Sequence, residues 1–124
     1  LNEPEKRKIL RQSTIKGIEE ATVIIKQELD RVDNVNVLAK RVGLNQNTLQ
    51  NGFNKLYNSS VKEYIRNQRI KKEKEMLETS DLNITEITYK VGINSRSYFS
   101  KIFKEKYGIT PKAYLDKSRN TKSA

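Results

Sequence analysis

The chain has 124 residues, 35% apolar and 32% charged, with only two Pro and five Gly, so its length allows one domain or two small ones built from short amphipathic helices. It contains no Cys and no His, which removes disulfides, thiolate nucleophiles, imidazole bases and the common zinc sites, and no phosphate-cradling Gly loop stands near paired acids; neither an enzyme nor a bound metal or cofactor is expected. The net charge of +10 is uneven: residues 1 to 33 hold seven basic and seven acidic side chains, residues 34 to 117 sixteen against eight, which favours a polyanionic partner, nucleic acid before an anionic membrane.

Residues 1 to 14, LNEPEKRKILRQST, are polar and charge-mixed and read as a linker or interdomain segment, or a frayed helix. In the segment that follows, Ile18, Ala21, Ile25 and Leu29 fall at helical spacing and predict one amphipathic helix over roughly 17 to 31. Asn34 then suits an N-cap, a short helix covers about 35 to 42, and Gly43 suits a left-handed residue just past its end. A second helix begins near Asn45 and runs to Tyr57, with Leu49, Phe53 and Leu56 as its buried stripe and Asn47, Gln50, Asn51 and Asn54 on other faces. Side-chain amides bond bidentately to the adenine N6 and N7 edge, and no acid lies between Asn34 and Lys62 to repel phosphate. Gly52 costs this helix about 1 kcal/mol against Ala, and Gly52→Leu is expected to stabilise the lobe by filling its core.

Residues 60 to 80 contain neither Gly nor Pro and predict a helix of about 19 residues, on the order of 28 Å long, close to one DNA helical turn of roughly 34 Å. Its RIKKEKE run, 69 to 75, reads as a solvated face with pairs such as Arg69/Glu73 and Lys71/Glu75. Asn83 with Glu86 fits a capping box opening a helix over about 84 to 91, and Gly92 ends it. A last predicted helix runs from near Ser95 to Tyr107, with Phe99, Ile102 and Phe103 inward and Arg96, Ser97, Ser100, Lys101 and Lys104 outward. Arg96 and Lys101 suit guanine O6 and N7, or phosphate.

The second half repeats the first. LAKRVGLN (38 to 45) matches ITYKVGIN (87 to 94) at an offset of 49. After one inserted residue, Phe53/Phe103, Tyr57/Tyr107, Lys62/Lys112 and Tyr64/Tyr114 match at 50. Two helices joined by a short Gly turn make a helix-turn-helix unit, so the chain divides into a first lobe (15 to 58), a linker helix (59 to 80), a second lobe (81 to 117) and a disordered tail (118 to 124).

The stretch DLNITEITYKVGINSRSYFSKIFKEKYGITPKAYL, 81 to 115, closely resembles the signature of the AraC/XylS family of transcription regulators, and the likeness extends over about 15 to 117. It implies an all-α domain of about seven helices, two helix-turn-helix lobes joined by a long helix, attached to an upstream sensor domain and acting mostly as an activator that touches RNA polymerase. Carried over by position, the resemblance implies base contacts from Asn47, Gln50, Asn51, Arg96, Ser97, Ser100 and Lys101, and phosphate contacts from Thr48, Lys55, Tyr98 and Lys104. Asn51 stands where the family commonly has a basic residue, Gly52 where it has a bulky apolar one, and Asn36 and Val37 replace its usual acid pair.

The expected function is sequence-specific binding of double-stranded DNA through two recognition helices in consecutive major-groove segments, about 10 bp apart; unlike lobes in one chain imply an asymmetric site. The rival is a basic helical module that binds RNA or nucleic acid without sequence choice. A protein-interaction module whose basic surface meets an acidic partner or membrane is a third reading, supported by charge alone. The longest apolar run is far short of the roughly 20 residues that span a bilayer, so a cytoplasmic protein without a membrane partner is expected. The start at Leu1 reads as a piece of something longer.

Overall fold

The computed structural model describes residues 10–123, and among these the chain forms seven helices and no strand. They are α1 (Gln12–Gln27), α2 (Val35–Arg41), α3 (Gln46–Tyr57), α4 (Val61–Thr79), α5 (Ile84–Lys90), α6 (Arg96–Tyr107) and α7 (Pro111–Ser123). The described residues divide into two compact units between Arg66 and Asn67, so the division falls inside α4.

Local chemistry sets the helix starts. The Asn34 side chain accepts the Val37 N–H at 3.1 Å, Asn45 the Thr48 N–H at 2.8 Å and Ser95 the Tyr98 N–H at 3.2 Å. Asn83 and Glu86 form the reciprocal capping box, at 2.8 and 3.1 Å. Gly43 and Gly92, at φ +73° and +91°, take the left-handed conformation that turns α2 and α5 toward the next helix. The caps Asn45 and Ser95 are 50 apart, whereas Gly43 and Gly92 are 49 apart, so the inserted residue of the repeat lies in the second turn.

In the first unit Ile18, Ala21 and Ile25 of α1 pack with Leu38 of α2, Leu49 and Phe53 of α3, and Val61 and Ile65 of α4. In the second, Ile70 and Leu77 of α4 pack with Ile87, Phe99, Ile102 and Phe103. Fully burying each of the Ile, Leu, Val and Phe side chains contributes about 1.5–3 kcal/mol. The repeat appears in three dimensions as two ring clusters. Phe53 lies 5.2 Å from Tyr57 and 5.3 Å from Tyr64, and its counterpart Phe103 lies 4.8 Å from Tyr107 and 6.0 Å from Tyr114.

Several sequence expectations are corrected. The first helix starts at Gln12 and ends at Gln27, not over 17 to 31. Thr14 and Ile15 are buried, which draws its first turn into the core, and Glu28 leaves helical geometry where its carboxylate takes both Nη atoms of Arg41 at 2.8 and 2.7 Å. Gln12 to Thr14 therefore belong to α1 rather than to a linker, while residues 1 to 9 lie outside the described residues. Nor does the chain lose its helix at residue 118. Helix α7 continues to Ser123, and the Arg119 guanidinium donates to the carbonyls of Ser80 at 3.0 Å and Leu82 at 2.6 Å.

Gly52 leaves no gap to fill. A Cβ there would stand 2.1 Å from Ile18 Cδ1, so the close approach of α1 to α3 requires the glycine and Gly52→Leu cannot be accommodated as expected. The RIKKEKE run is not wholly a solvated face either. Glu73 is fully buried with neither carboxylate oxygen hydrogen-bonded, and burial raises its pKa to about 9. Ion pairs on this helix include Lys72/Glu75 at 3.3 Å and Lys74/Glu78 at 3.6 Å, and Lys74 also lies over the rings of Tyr107 and Tyr114. The Tyr114 hydroxyl donates to Glu78, which pushes the phenol up to about 12.

Candidate nucleic-acid interface

Helix α3 separates its residues by side. Leu49, Phe53 and Leu56 are buried, and Asn47, Asn51 and Asn54 are exposed at i, i+4 and i+7, a continuous stripe of amides along the opposite side. Lys55 is exposed one residue further round, and Thr48 is half-buried with its backbone N–H held by the Asn45 cap. Gln50 stands at the edge of the stripe and is half-buried. Its Oε1 accepts the Val61 N–H at 3.0 Å, and its side chain lines a surface cleft with Asp33, Asn34, Asn36, Gln46 and Lys62.

Helix α6 carries the same geometry with different chemistry. Phe99, Ile102 and Phe103 are buried, and Ser97, Lys101 and Lys104 occupy the exposed i, i+4, i+7 stripe that matches Asn47, Asn51 and Asn54 at the offset of 50. Ser100 is half-buried and Tyr98 is 46% exposed. Arg96, exposed at the first position of α6, donates from Nη1 to Thr85 Oγ1 of α5 at 3.2 Å, which restricts a long flexible side chain before any ligand arrives. Thr85 was invisible as a functional residue in the sequence, because its link to Arg96 crosses the turn between two helices. The task of Gln50 toward Val61 was equally hidden, though the offset of 50 already set Val61 against Pro111.

The first unit presents hydrogen-bond donors and acceptors and the second presents cations, each on a capped helix seated on its own apolar core. A helix of this width fits the major groove of B-form DNA. Among the described residues no group of three or more His, Cys, Asp or Glu could hold a metal ion, and no helix is long and apolar enough to cross a membrane.

Comparison with known proteins agrees with this geometry. A family described as "Helix-turn-helix domain" matches residues 38–117. The Msm operon regulatory protein of Streptococcus mutans is 37% identical over 86 residues, 69% of this chain and 31% of its own length. The transcriptional activator PerA of Escherichia coli is 31% identical over 106 residues, 86% of this chain and 38% of its own length, so the chain spans about a third of these relatives. Among solved structures, the DNA-binding domain of AdpA, a global transcriptional factor in complex with a target DNA, superposes with a TM-score of 0.80 at 24% identity, covering 86% of this chain and 96% of that one. The two ring-cornered helix-turn-helix units, the seven-helix order and the match over residues 38–117 together place the chain in the AraC family, as a helix-turn-helix DNA-binding domain of transcription regulators and not an enzyme.

Proposed function

We propose that the chain binds double-stranded DNA sequence-specifically, laying α3 and α6 into major-groove segments of one asymmetric site. The observation that carries this reading is the pair of exposed stripes at matching register, amides on α3 and Ser97, Lys101 and Lys104 on α6. Asn47, Gln50 and Asn51 contact bases from the first unit; Arg96, Ser97, Ser100 and Lys101 do so from the second. Thr48, Lys55, Tyr98 and Lys104 flank them and hold phosphates. Because the two stripes differ in chemistry, they read different boxes. The likeness to PerA, a transcriptional activator, supports activation, and a sensor domain upstream in the same full-length protein and contact with RNA polymerase complete the reading.

Binding-site selection from a randomised duplex pool at near-physiological salt tests it. Two unlike boxes about one helical turn apart are expected. Salt-sensitive binding without enrichment would instead favour non-specific nucleic-acid or RNA binding. Within a selected site, Arg96→Ala should weaken binding by about 1–3 kcal/mol and relax choice at one base position, whereas a uniform loss across sequences would make Arg96 a phosphate contact.

A further inference from the structure

One position of the repeat is used differently in the two units. Val61 opens α4, and its backbone N–H is among those at a helix start that find no acceptor within the helix. The Ser60 hydroxyl is committed to the Glu63 N–H at 3.1 Å, and it is Gln50 Oε1 that accepts from Val61, at 3.0 Å. In the second unit the residue matching Val61 is Pro111, which has no N–H, and the residue matching Gln50 is Ser100. Thr110 caps α7 there as Ser60 caps α4, its hydroxyl accepting the Ala113 N–H at 3.1 Å. Helix α7 thus starts without help from α6, whereas α4 draws on α3.

A backbone N–H can only donate, so it fixes which end of the Gln50 amide faces Val61. That bond occupies one of the two Oε1 lone pairs and anchors the oxygen on the α4 side, whereas both Nε2 hydrogens remain to donate. We infer that Gln50 is a tethered, donor-only reader: a positioning residue that joins the recognition helix α3 to α4 and offers a base only N–H groups. It therefore favours bases with acceptors on the major-groove edge, guanine O6 and N7 or thymine O4, over the adenine edge, which needs both an acceptor and a donor from one amide. Ser100, with no such duty, keeps both capacities. This rests on the proposed reading in which α3 faces bases.

Two measurements on the purified chain separate the parts. In thermal unfolding, Gln50→Ala should lower the Tm by several degrees, while Gln50→Glu, which keeps an acceptor, should hold it near the wild-type value; in a Val61→Pro background, Gln50→Ala should change little. If Gln50→Glu falls as far as Gln50→Ala, the tether is overturned, and that comparison stands even where Val61→Pro does not fold. In site selection, the position that Gln50→Ala relaxes should prefer guanine or thymine in the wild type and shift toward adenine in Val61→Pro. A wild-type preference for adenine at that position overturns the donor-only reading. A wild type that selects no site overturns the proposed function and the donor-only reading with it, while the Tm comparison still decides the tether.

Discussion

Ile18 occupies the space that a side chain at residue 52 would need, and this contact reverses a substitution that helix propensity alone would recommend. Gly52→Ala should lower stability by about 1–3 kcal/mol despite the better helix former, because a fully buried Ile18 must move. Adding Ile18→Val removes the clashing Cδ1, so the double variant should be more stable than Gly52→Ala alone in a chemical-denaturation cycle. Glu73 is the second residue whose environment overrides its chemistry. Its folded pKa of about 9 lies above the ordinary value of 4.5, so between those limits the folded state keeps a proton that the unfolded state releases. The Glu73 contribution to stability should be greatest below about pH 4.5 and fall as the pH rises toward 9, opposite in sign to that of Glu28, whose carboxyl is held down by Arg41 and whose contribution fades in acid; Glu73→Gln should flatten the Glu73 slope, and Glu73→Met should raise stability at pH 7 by about 2–3 kcal/mol. Neither residue was legible in the sequence. The caps Asn34, Asn45, Asn83 and Ser95 were, because a cap acts on an N–H three residues away, whereas the surroundings of Gly52 and Glu73 are made by residues distant along the chain.

At the scale of elements, periodicity located α2, α3, α5 and α6 to within a residue or two, because each carries its own cap, its own apolar stripe and a glycine or turn at its end, while the absence of Gly and Pro over residues 60 to 80 located α4. The two end helices were harder. Helix α1 has no side-chain cap hydrogen bond at Arg11, and its first turn is held by burial of Thr14 and Ile15 rather than by any local signal. Helix α7 is tied to a distant partner, since Arg119 donates to the carbonyls of Ser80 and Leu82 just past the end of α4. Removing those charged hydrogen bonds by Arg119→Ala should cost about 1–3 kcal/mol, and hydrogen exchange should show the loss of protection concentrated in α7 and the end of α4. An unchanged exchange pattern would mean that α7 is held by its apolar contacts alone, through Tyr114 and Leu115.

For the whole molecule, the repeat was the most informative feature of the sequence, since it foretold two units of one design before any helix was placed. What it could not foretell was the division of tasks between matched positions, such as Gln50 and Ser100, which depends on whether the next helix opens with Val or Pro. The unlike stripes also divide the electrostatics. On the proposed reading, Lys104→Ala should reduce the slope of log affinity against log salt by about 0.9, while Asn51→Ala should lower affinity and leave the slope unchanged; titrations at several salt concentrations check both. The twin ring clusters of Phe53 and Phe103 have a historical consequence. In a copied unit the positions of Phe53 and Phe103 have the least freedom to change, because each of these two rings is fitted to two tyrosine rings. The outward stripes are under no such constraint, and a gene that carries two copies can let each acquire its own vocabulary.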